Sequence, residues 1–262
     1  MEKCLGVFDS GIGGLSVLKE LALLEGYDKI IYFGDTGRVP YGTRSEATIT
    51  EYARQDVKFL ISKGATHIAA ACGTVSAIAL DTLKKEFDLP IIGVIDAAVK
   101  DAVNSTVNRK IGVIGTAATI KNGVYQRKIH EIDGDIEVIN VACPLFVPLV
   151  EYGFASLEGD ETVRSACRHY LKEIKDSGAD TLILGCTHYP VLEKYISEYI
   201  PGIKMINIGK SLSESIGEQT GKGTENISYY VSDDAEGFRQ NAVAYLGKEL
   251  NGTVEKIDIQ NY

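Results

Sequence analysis

Residues 3–14 read KCLGVFDSGIGG, a short apolar run followed at once by a polar, glycine-rich turn. The run Lys3–Phe8 predicts a buried strand, and the amphipathic stretch Gly13–Leu24 predicts the helix that follows it. Because short apolar strands that alternate with helices are typical of α/β proteins, this opening unit suggests a parallel sheet covered on both faces.

The same order of strand, turn and helix repeats along the rest of the chain. The other predicted strands are Lys29–Gly34, His67–Ala71, Ile91–Val94, Lys110–Gly115, Asp135–Val141, Thr181–Leu184 and Lys204–Ile208. The other predicted helices are Glu46–Lys63, Val75–Glu86, Ile120–Ile132, Asp160–Ser177 and Val191–Tyr199. The pattern therefore predicts βαβ units throughout.

The composition is that of a globular protein with an acidic surface. The 262 residues are 45% hydrophobic and 24% charged, which excludes a disordered chain and a fibrous repeat. The 36 acidic and 27 basic residues give a net charge of −9, which argues against nucleic acid and anionic membranes as partners. No apolar run reaches the roughly 18 residues of a membrane span. Since no basic and apolar leader opens the sequence, we expect a cytoplasmic protein.

Cysteine and histidine are arranged in no pattern that predicts a disulfide framework or a metal site. The five cysteines are odd in number and include no CxxC pair, and the four histidines include no HExxH pair. We therefore expect free thiols and no bound metal. The cysteines are Cys4, Cys72, Cys143, Cys167 and Cys186.

Small and polar residues follow four of the predicted strands, at the sheet edge where parallel α/β proteins bind ligands. These runs are DSGIGG at 9–14, CGT at 72–74, TAAT at 116–119 and GCTH at 185–188. Each opens a predicted helix, whose unpaired N–H groups and positive dipole end attract anions without Lys or Arg. The runs therefore predict a site for a small carboxylate or phosphate.

Two segments of the chain repeat each other around a cysteine. SKGA at 62–65, a strand and Cys72 correspond to DSGA at 176–179, a strand and Cys186, at an offset of 114 residues. The pairs GV at 6–7 and 112–113, and VP at 39–40 and 147–148, follow in the same order. We therefore predict two similar parallel-sheet α/β domains related by pseudo-twofold symmetry, with the active site in the cleft between them. Chance similarity between short apolar strands is the alternative.

Two thiols on opposite walls of a cleft suit the inversion of configuration at a carbon atom. One group removes the proton from one face while the other delivers a proton to the opposite face, and the roles exchange in reverse. Cysteine can do this work because its ordinary pKa of about 8.5 leaves some thiolate near neutral pH. Cys72 and Cys186 are therefore the candidate acid–base pair.

Six motifs surround these residues: DSGIGG (9–14), VPYG (39–42), ACGT (71–74), IGT (114–116) with TI (119–120), ACPLFVPLVE (142–151) and GCTHYP (185–190). Together they resemble those of glutamate racemases in the cofactor-independent aspartate/glutamate racemase superfamily, over essentially the whole chain. The resemblance implies an isomerase that interconverts L- and D-glutamate and supplies D-glutamate for bacterial peptidoglycan. It also implies that neither pyridoxal phosphate nor metal takes part.

The resemblance further implies site residues, domain limits and an assembly. Cys72 and Cys186 would be the two bases. Asp9 would assist Cys72, whereas His188 and Glu151 would assist the other thiol. One domain would comprise residues 1–97 plus 208–262 and the other residues 98–207, in a homodimer. The substrate-contacting residues would be Asp9, Ser10, Pro40, Tyr41, Gly42, Gly73, Thr74, Thr116, Thr119, Thr187 and His188.

Structural roles are the alternatives for several of these residues. Asp9 is placed to cap the helix that begins near Gly13, and Glu151 could be a surface carboxylate. Cys72 and Cys186 could be small buried hydrophobic residues, which is the role we expect for the other cysteines.

Two positions depart from the superfamily pattern and keep other functions open. Gly73 stands where these racemases usually carry Asn, so the choice between glutamate and another amino acid such as aspartate is open. Asp96 and Ala97 replace a usual Glu-Pro pair near the domain junction. A cysteine hydrolase, which needs a single thiol nucleophile, and a two-lobed binding protein without catalysis are the alternatives from other classes.

Overall fold

Ten parallel strands form two sheets in the computed structural model, which describes residues 2–156, 160–217 and 223–262. The strands are β1 Cys4–Asp9, β2 Lys29–Gly34, β3 His67–Ala70, β4 Ile91–Gly93, β5 Lys110–Gly115, β6 Glu137–Ala142, β7 Thr181–Leu184, β8 Lys204–Asn207, β9 Ile227–Val231 and β10 Val254–Lys256. The first sheet has the order β10-β9-β2-β1-β3-β4 and the second the order β6-β5-β7-β8.

Helices connect the strands and cover both sheets. They are α1 Leu15–Leu21, α2 Glu46–Ser62, α3 Gly73–Ile78, α4 Leu80–Glu86, α5 Ile95–Ser105, α6 Ala117–Asn122, α7 Val124–Ile132, α8 Phe146–Glu151, α9 Glu161–Tyr170, α10 Lys172–Ser177, α11 Glu193–Tyr199, α12 Ile208–Ile216, α13 Ala235–Asn241 and α14 Val243–Leu246. Short 3₁₀ turns occupy Tyr41–Thr43, Phe154–Ser156, Tyr189–Leu192 and Ile259–Asn261. Among the described residues, no helix is both long and apolar enough to cross a membrane.

The first strand shows why the sequence reads as a continuous apolar run. All six residues of β1 are buried, and alternate side chains enter different layers of the core. Leu5 and Val7 belong to the larger hydrophobic cluster, whereas Cys4 and Phe8 belong to the second cluster on the other face. A parallel strand with helices on both faces therefore has no solvent-facing side to carry polar residues.

The two sheets repeat one arrangement of four strands, β2-β1-β3-β4 in the first and β6-β5-β7-β8 in the second. Gly6 of β1 lies opposite Ile68 of β3, and Gly112 of β5 lies opposite Leu182 of β7. The predicted pair of similar parallel-sheet α/β units is confirmed. Because β3 and β7 are equivalent strands, the repeat places Cys72 and Cys186 at equivalent strand ends.

Several predicted helices are divided in the structure, and some elements were missed. The predicted helix Ile120–Ile132 is two helices because Gly123 adopts a left-handed conformation with φ of 71°. The predicted helices Val75–Glu86 and Asp160–Ser177 are likewise each two shorter helices. The missed elements are β9, β10, α5, α12 and α14, whereas α8 ends at Glu151 and α13 begins within the acidic run 232–236, as predicted.

Candidate active site

The turn after β1 is organised around the carboxylate of Asp9, which is completely buried. Its Oδ2 atom accepts hydrogen bonds from the backbone N–H groups of Gly11 at 3.1 Å and Gly14 at 3.0 Å. A side chain at Gly14 would overlap the Asp9 side chain, so the turn requires glycine there. Asp9 therefore holds the turn together but does not cap α1, whose N-terminal capping residue is Gly14.

Cys72 follows β3 directly and is the N-terminal capping residue of α3. The thiol is buried, with its Sγ atom 3.8 Å from the hydroxyl oxygen of Ser10. Burial, together with the nearby charge of Asp9, raises the pKa of Cys72 to about 12. Cys72 is therefore a neutral thiol at neutral pH and can act as an acid.

Cys186 follows β7 and has a different set of neighbours. Its Sγ atom lies 3.7 Å from Nδ1 of His188, and Nε2 of His188 lies 3.0 Å from Oε1 of Glu151. Burial disfavours the imidazolium, but the hydrogen bonds and charges of Cys186 and Glu151 outweigh it and raise the pKa of His188 to about 10. A protonated imidazole therefore adjoins the sulfur atom of the second thiol.

The two sheets meet through contacts between their strand ends. Thr187 donates a hydrogen bond from Oγ1 to Oδ1 of Asp9 at 3.3 Å, and Ser16 donates to the carbonyl oxygen of Thr187 at 2.7 Å. A Cβ atom at Gly73 would overlap the carbonyl oxygen of Gly185, so the backbones touch only because residue 73 lacks a side chain. The charge of Cys186 also contributes to the raised pKa of Cys72 across this junction.

Three hydroxyl groups form a cluster at the same junction. Thr116 Oγ1 lies 3.0 Å from the hydroxyl oxygens of both Thr74 and Thr119. Thr116 also caps α6, accepting the N–H of Thr119 at 3.3 Å. Hydroxyls that bridge the two sheets in this way can turn to donate hydrogen bonds to a bound carboxylate.

The segment 39–42 approaches this threonine cluster from the first sheet. Gly42 is buried, and a Cβ atom on it would overlap the side chain of Thr116. Tyr41 is also buried, but its hydroxyl turns toward Asp35 and Asp56, which leaves its backbone for a ligand. Pro40 is exposed, unlike the other residues predicted to contact substrate.

The structure thus brings together nearly all the residues that the motifs single out. The run after β7 differs from the prediction that it opens a helix, because GCTH leads into the 3₁₀ turn Tyr189–Leu192 before α11 begins. Cys4, Cys143 and Cys167 are buried elsewhere in the core, and all five cysteines are free thiols. Within residues 2–156, 160–217 and 223–262, no three His, Cys, Asp or Glu side chains are grouped to hold a metal ion.

Sequence reasoning missed three residues that shape the site. Gly185 receives the backbone of Gly73, Ser16 ties α1 to the other sheet, and Asp35 holds the Tyr41 hydroxyl. Asp35 carried a usable signal because it directly follows strand β2, just as Asp9 ends β1. Gly185 lies within the GCTH motif, but its role and that of Ser16 depend on contacts between the sheets, which the sequence pattern does not predict.

A cavity of about 520 Å³ opens beside the second thiol's partners, with Glu151, Gly11 and Tyr245 in its wall. The Tyr245 ring packs edge-on against His188, with 6.0 Å between the ring centres. Glu151 is therefore the solvent-facing end of the chain that leads inward to Cys186, and 26% of its side chain is exposed.

Comparison with known proteins identifies relatives over almost the whole chain. The Asp/Glu/Hydantoin racemase family matches residues 22–213. The glutamate racemase of Aquifex pyrophilus is 51% identical over 214 residues, 81% of either chain, and that of Aquifex aeolicus is 42% identical over 94% of this chain and 95% of its own. The crystal structure of glutamate racemase from Francisella tularensis in complex with D-glutamate is 37% identical, covering 100% of this chain and 99% of its own, with a TM-score of 0.88. With its two thiols at equivalent strand ends, the chain therefore belongs to the Asp/Glu/Hydantoin racemase family.

Proposed function

We propose that this protein is an isomerase that interconverts L- and D-glutamate by proton transfer at Cα, with Cys72 and Cys186 as the two acid–base groups. The observation that carries the proposal is the pairing of two thiols at equivalent strand ends, one as a buried neutral thiol and one beside an imidazolium. The names of the relatives and the D-glutamate in the Francisella tularensis structure support glutamate as the substrate. The product would supply D-glutamate for peptidoglycan.

In the proposed reaction the two thiols act together, one as the base and the other as the acid. The Cys186 thiolate removes the α-proton from one face of the substrate while the Cys72 thiol delivers its proton to the opposite face. The C–H bond on the first face breaks, and a new C–H bond forms on the second. Cys186 ends as the thiol and Cys72 as the thiolate, which is the state that the other enantiomer requires.

The assisting residues stabilise whichever charges this exchange creates. His188, held protonated by Glu151, stabilises the Cys186 thiolate. We assign Asp9 to assist Cys72 and to contact the substrate; burial raises the pKa of Asp9, and the charge of His188 lowers it. When a cation binds beside Asp9, its carboxylate form is favoured.

Small polar groups around the thiols can donate hydrogen bonds to the two carboxylates of glutamate. We assign Ser10, Thr74, Thr116, Thr119 and Thr187 as hydroxyl donors. Backbone N–H groups of the 39–42 segment and of Gly73 would complete the set, with Pro40, Tyr41 and Gly42 shaping that segment. Neutral donors at helix starts bind anions without fixed cations, consistent with a chain of net charge −9.

The direct test is an assay of the purified protein without added cofactor, on L- and D-glutamate and on both aspartate enantiomers in D2O. The proposal predicts loss of optical rotation and one solvent deuterium at Cα of glutamate. If the protein racemises aspartate with a higher kcat/KM than glutamate, aspartate becomes the proposed substrate. That result would fit the absence of a side-chain amide at Gly73. Formation of an acyl-enzyme without exchange would instead support the hydrolase alternative.

Three further assignments accompany this proposal. We place the protein in the cytoplasm as a homodimer. We divide it into residues 1–97 plus 208–262 and residues 98–207, limits that fall inside α5 and at the first residue of α12. Sedimentation equilibrium tests the dimer, and cell fractionation tests the location.

A further inference from the structure

A second group of titratable side chains lies behind the 39–42 segment, away from the thiols. Asp35 and Asp56 have no exposed surface, and both lie against the hydroxyl of Tyr41. Arg38 donates from Nε to Asp35 and from Nη2 to Asp56, the latter at 3.1 Å, and stacks on the ring of Tyr52 at 4.0 Å. The group therefore buries two carboxyl groups beside one guanidinium.

If both carboxyl groups of this cluster were ionised, the cluster would lack one of the protons that its hydrogen bonds need. The Tyr41 oxygen lies within hydrogen-bond distance of Oδ2 of Asp35 and 3.0 Å from Oδ2 of Asp56, but a phenol has a single proton to donate. Burial and both carboxyl groups raise the pKa of Tyr41 well above its usual value, so the phenol keeps its proton. One of the two oxygen–oxygen contacts must therefore carry a proton from a carboxyl group.

The surroundings decide which carboxyl group holds it. Asp35 accepts from Arg38 and from Ser232, whose hydroxyl donates to Oδ1 at 2.7 Å, so donors surround it as they surround a carboxylate. Asp56 accepts from Arg38 at Oδ1 and, among the described residues, has only Tyr41 as a partner at Oδ2. With a proton on Oδ2 of Asp56, the order of donation is Asp56 to Tyr41 to Asp35, and the buried charges of Asp35 and Arg38 balance.

This chain of donors ends at the part of the site that faces the second sheet. Tyr41 immediately precedes Gly42, whose backbone abuts Thr116 and so lies beside the three-threonine cluster. We propose that Asp56 is held protonated and that Asp56, Tyr41 and Asp35 act together as positioning residues, fixing the 39–42 segment for substrate in the proposed racemisation. Such positioning matters because small misplacements of contact groups lower rates steeply.

The electrostatic environment of Asp56 agrees with this proton count. Burial, followed by the charge of Asp35, raises the pKa of Asp56 well above its usual range, and a smaller contribution from Asp9 acts in the same sense. Arg38 and the Tyr41 hydrogen bond act in the opposite sense but are outweighed. Loss of the proton at alkaline pH would set two anions against the Tyr41 oxygen.

The kinetic test compares Asp56→Asn with Asp35→Asn. The amide of Asp56→Asn donates to Tyr41 as the protonated acid does, so KM for glutamate should stay within about twofold of the parent at neutral pH. Asp35→Asn leaves Arg38 without its carboxylate, so KM should rise at least about tenfold, with a much smaller change in kcat. Asp88→Asn, which removes an exposed carboxylate, is the matched control.

The pH dependence of KM separates positioning from a general effect on folding. KM of the parent should rise at alkaline pH as Asp56 ionises, and Asp56→Asn should lack that rise. An equal increase of KM in Asp56→Asn and Asp35→Asn at neutral pH, with both variants folded by circular dichroism, would overturn the protonated assignment. Unchanged KM in both variants would overturn the positioning role.

A readout without catalysis keeps this inference separate from the proposed function. Infrared difference spectra of aspartate-¹³C-labelled protein at neutral pH should show a protonated carboxyl band that disappears in Asp56→Asn and persists in Asp88→Asn. Absence of the band rejects the proton on Asp56 even if glutamate is racemised. Presence of the band without racemisation rejects only the proposed function and the substrate-positioning role that depends on it.

Discussion

The strand ends that carry Cys72 and Cys186 have the same place in the two sheets but different neighbours. Cys72 lies near a hydroxyl and a carboxylate, and its pKa is about 12. Cys186 lies 3.7 Å from an imidazole whose pKa of about 10 keeps it protonated. Equivalent backbone positions therefore give one thiol a buried carboxylate as its neighbour and the other thiol an imidazolium.

This difference shows how a repeated fold can support a reaction that needs two acid–base groups in different charge states. In the proposed reaction, the repeat of β3 and β7 supplies one thiol for each face of the stereocentre. The neighbours then supply the difference in charge, since His188 adjoins only the second thiol. Two identical neighbourhoods would leave both thiols protonated or both ionised, and neither state can remove and deliver a proton together.

The largest loss of activity is expected when one thiol is removed at a time. Cys72→Ala and Cys186→Ala should each lower kcat for racemisation by at least about 10³-fold, because each removes the acid–base group of one face. Each variant should still exchange the α-hydrogen of one enantiomer with D2O, and the two variants should differ in which enantiomer that is. Chiral chromatography and mass spectrometry measure both quantities.

Cys4→Ala provides the control, since it removes a buried thiol at the first residue of β1, at the opposite end of that strand from Asp9. Its racemisation rate should stay within a few-fold of the parent. Full racemisation by either Cys72→Ala or Cys186→Ala would rule out the two-thiol mechanism.

The next prediction concerns the neighbours that make the thiols unlike. His188→Asn removes the imidazolium beside Cys186 and should lower kcat/KM about 10²-fold. The loss must be equal for both enantiomers, because L- and D-glutamate have the same free energy in water. The asymmetry should therefore appear in the primary deuterium isotope effect, which should rise for the enantiomer whose α-proton goes to Cys186.

Asp9→Asn should raise the isotope effect for the opposite enantiomer, because Asp9 is the charged neighbour of Cys72. The enantiomer that still exchanges in Cys72→Ala identifies the proton that Cys186 removes. His169→Asn, on the exposed face of α9, should change neither isotope effect. Equal isotope effects in His188→Asn would show that the imidazole serves both thiols alike.

The fold could be predicted largely from the sequence because the central strands are buried on both faces. β2, β5 and β7 have the predicted limits, since each is a continuous apolar run between helices. β9 was missed because its residues ISYYV are only partly buried and mix polar with aromatic side chains. β10 was missed because its three residues are largely exposed.

The candidate site could be predicted as motifs but not as geometry. Strand-end motifs and the superfamily resemblance selected Cys72, Cys186 and His188, and the family match confirms that resemblance. The individual roles stay predictions until variants are measured. The contact of Gly73 with Gly185 had no local signal, because it depends on how closely the two sheets approach.

A change at the contact between Gly73 and Gly185 alters the junction of the two sheets but keeps both thiols, so its effect on kcat should be smaller. Gly73→Ala should lower kcat about tenfold or more, because the new methyl group overlaps the Gly185 carbonyl and forces the strand ends apart. Gly134→Ala, whose added methyl group meets only one atom within 4 Å, is the matched control. Unchanged kcat in a folded Gly73→Ala variant would show that the contact does not set the spacing of the thiols.

The smallest effect should come from Glu151, which acts on Cys186 only through His188. Glu151→Gln removes a charge that helps to raise the pKa of His188 to about 10, so the imidazole should lose its proton at a lower pH. Near neutral pH the loss of kcat/KM should be only about two- to fivefold, because the imidazolium still predominates and Glu151 is partly exposed. The alkaline decline of kcat/KM should move to lower pH in this variant, and Glu173→Gln, an exposed change on α10, should leave it in place. An unmoved alkaline limb in Glu151→Gln would mean that another group sets it, and the protonated imidazole would no longer distinguish the second thiol from the first.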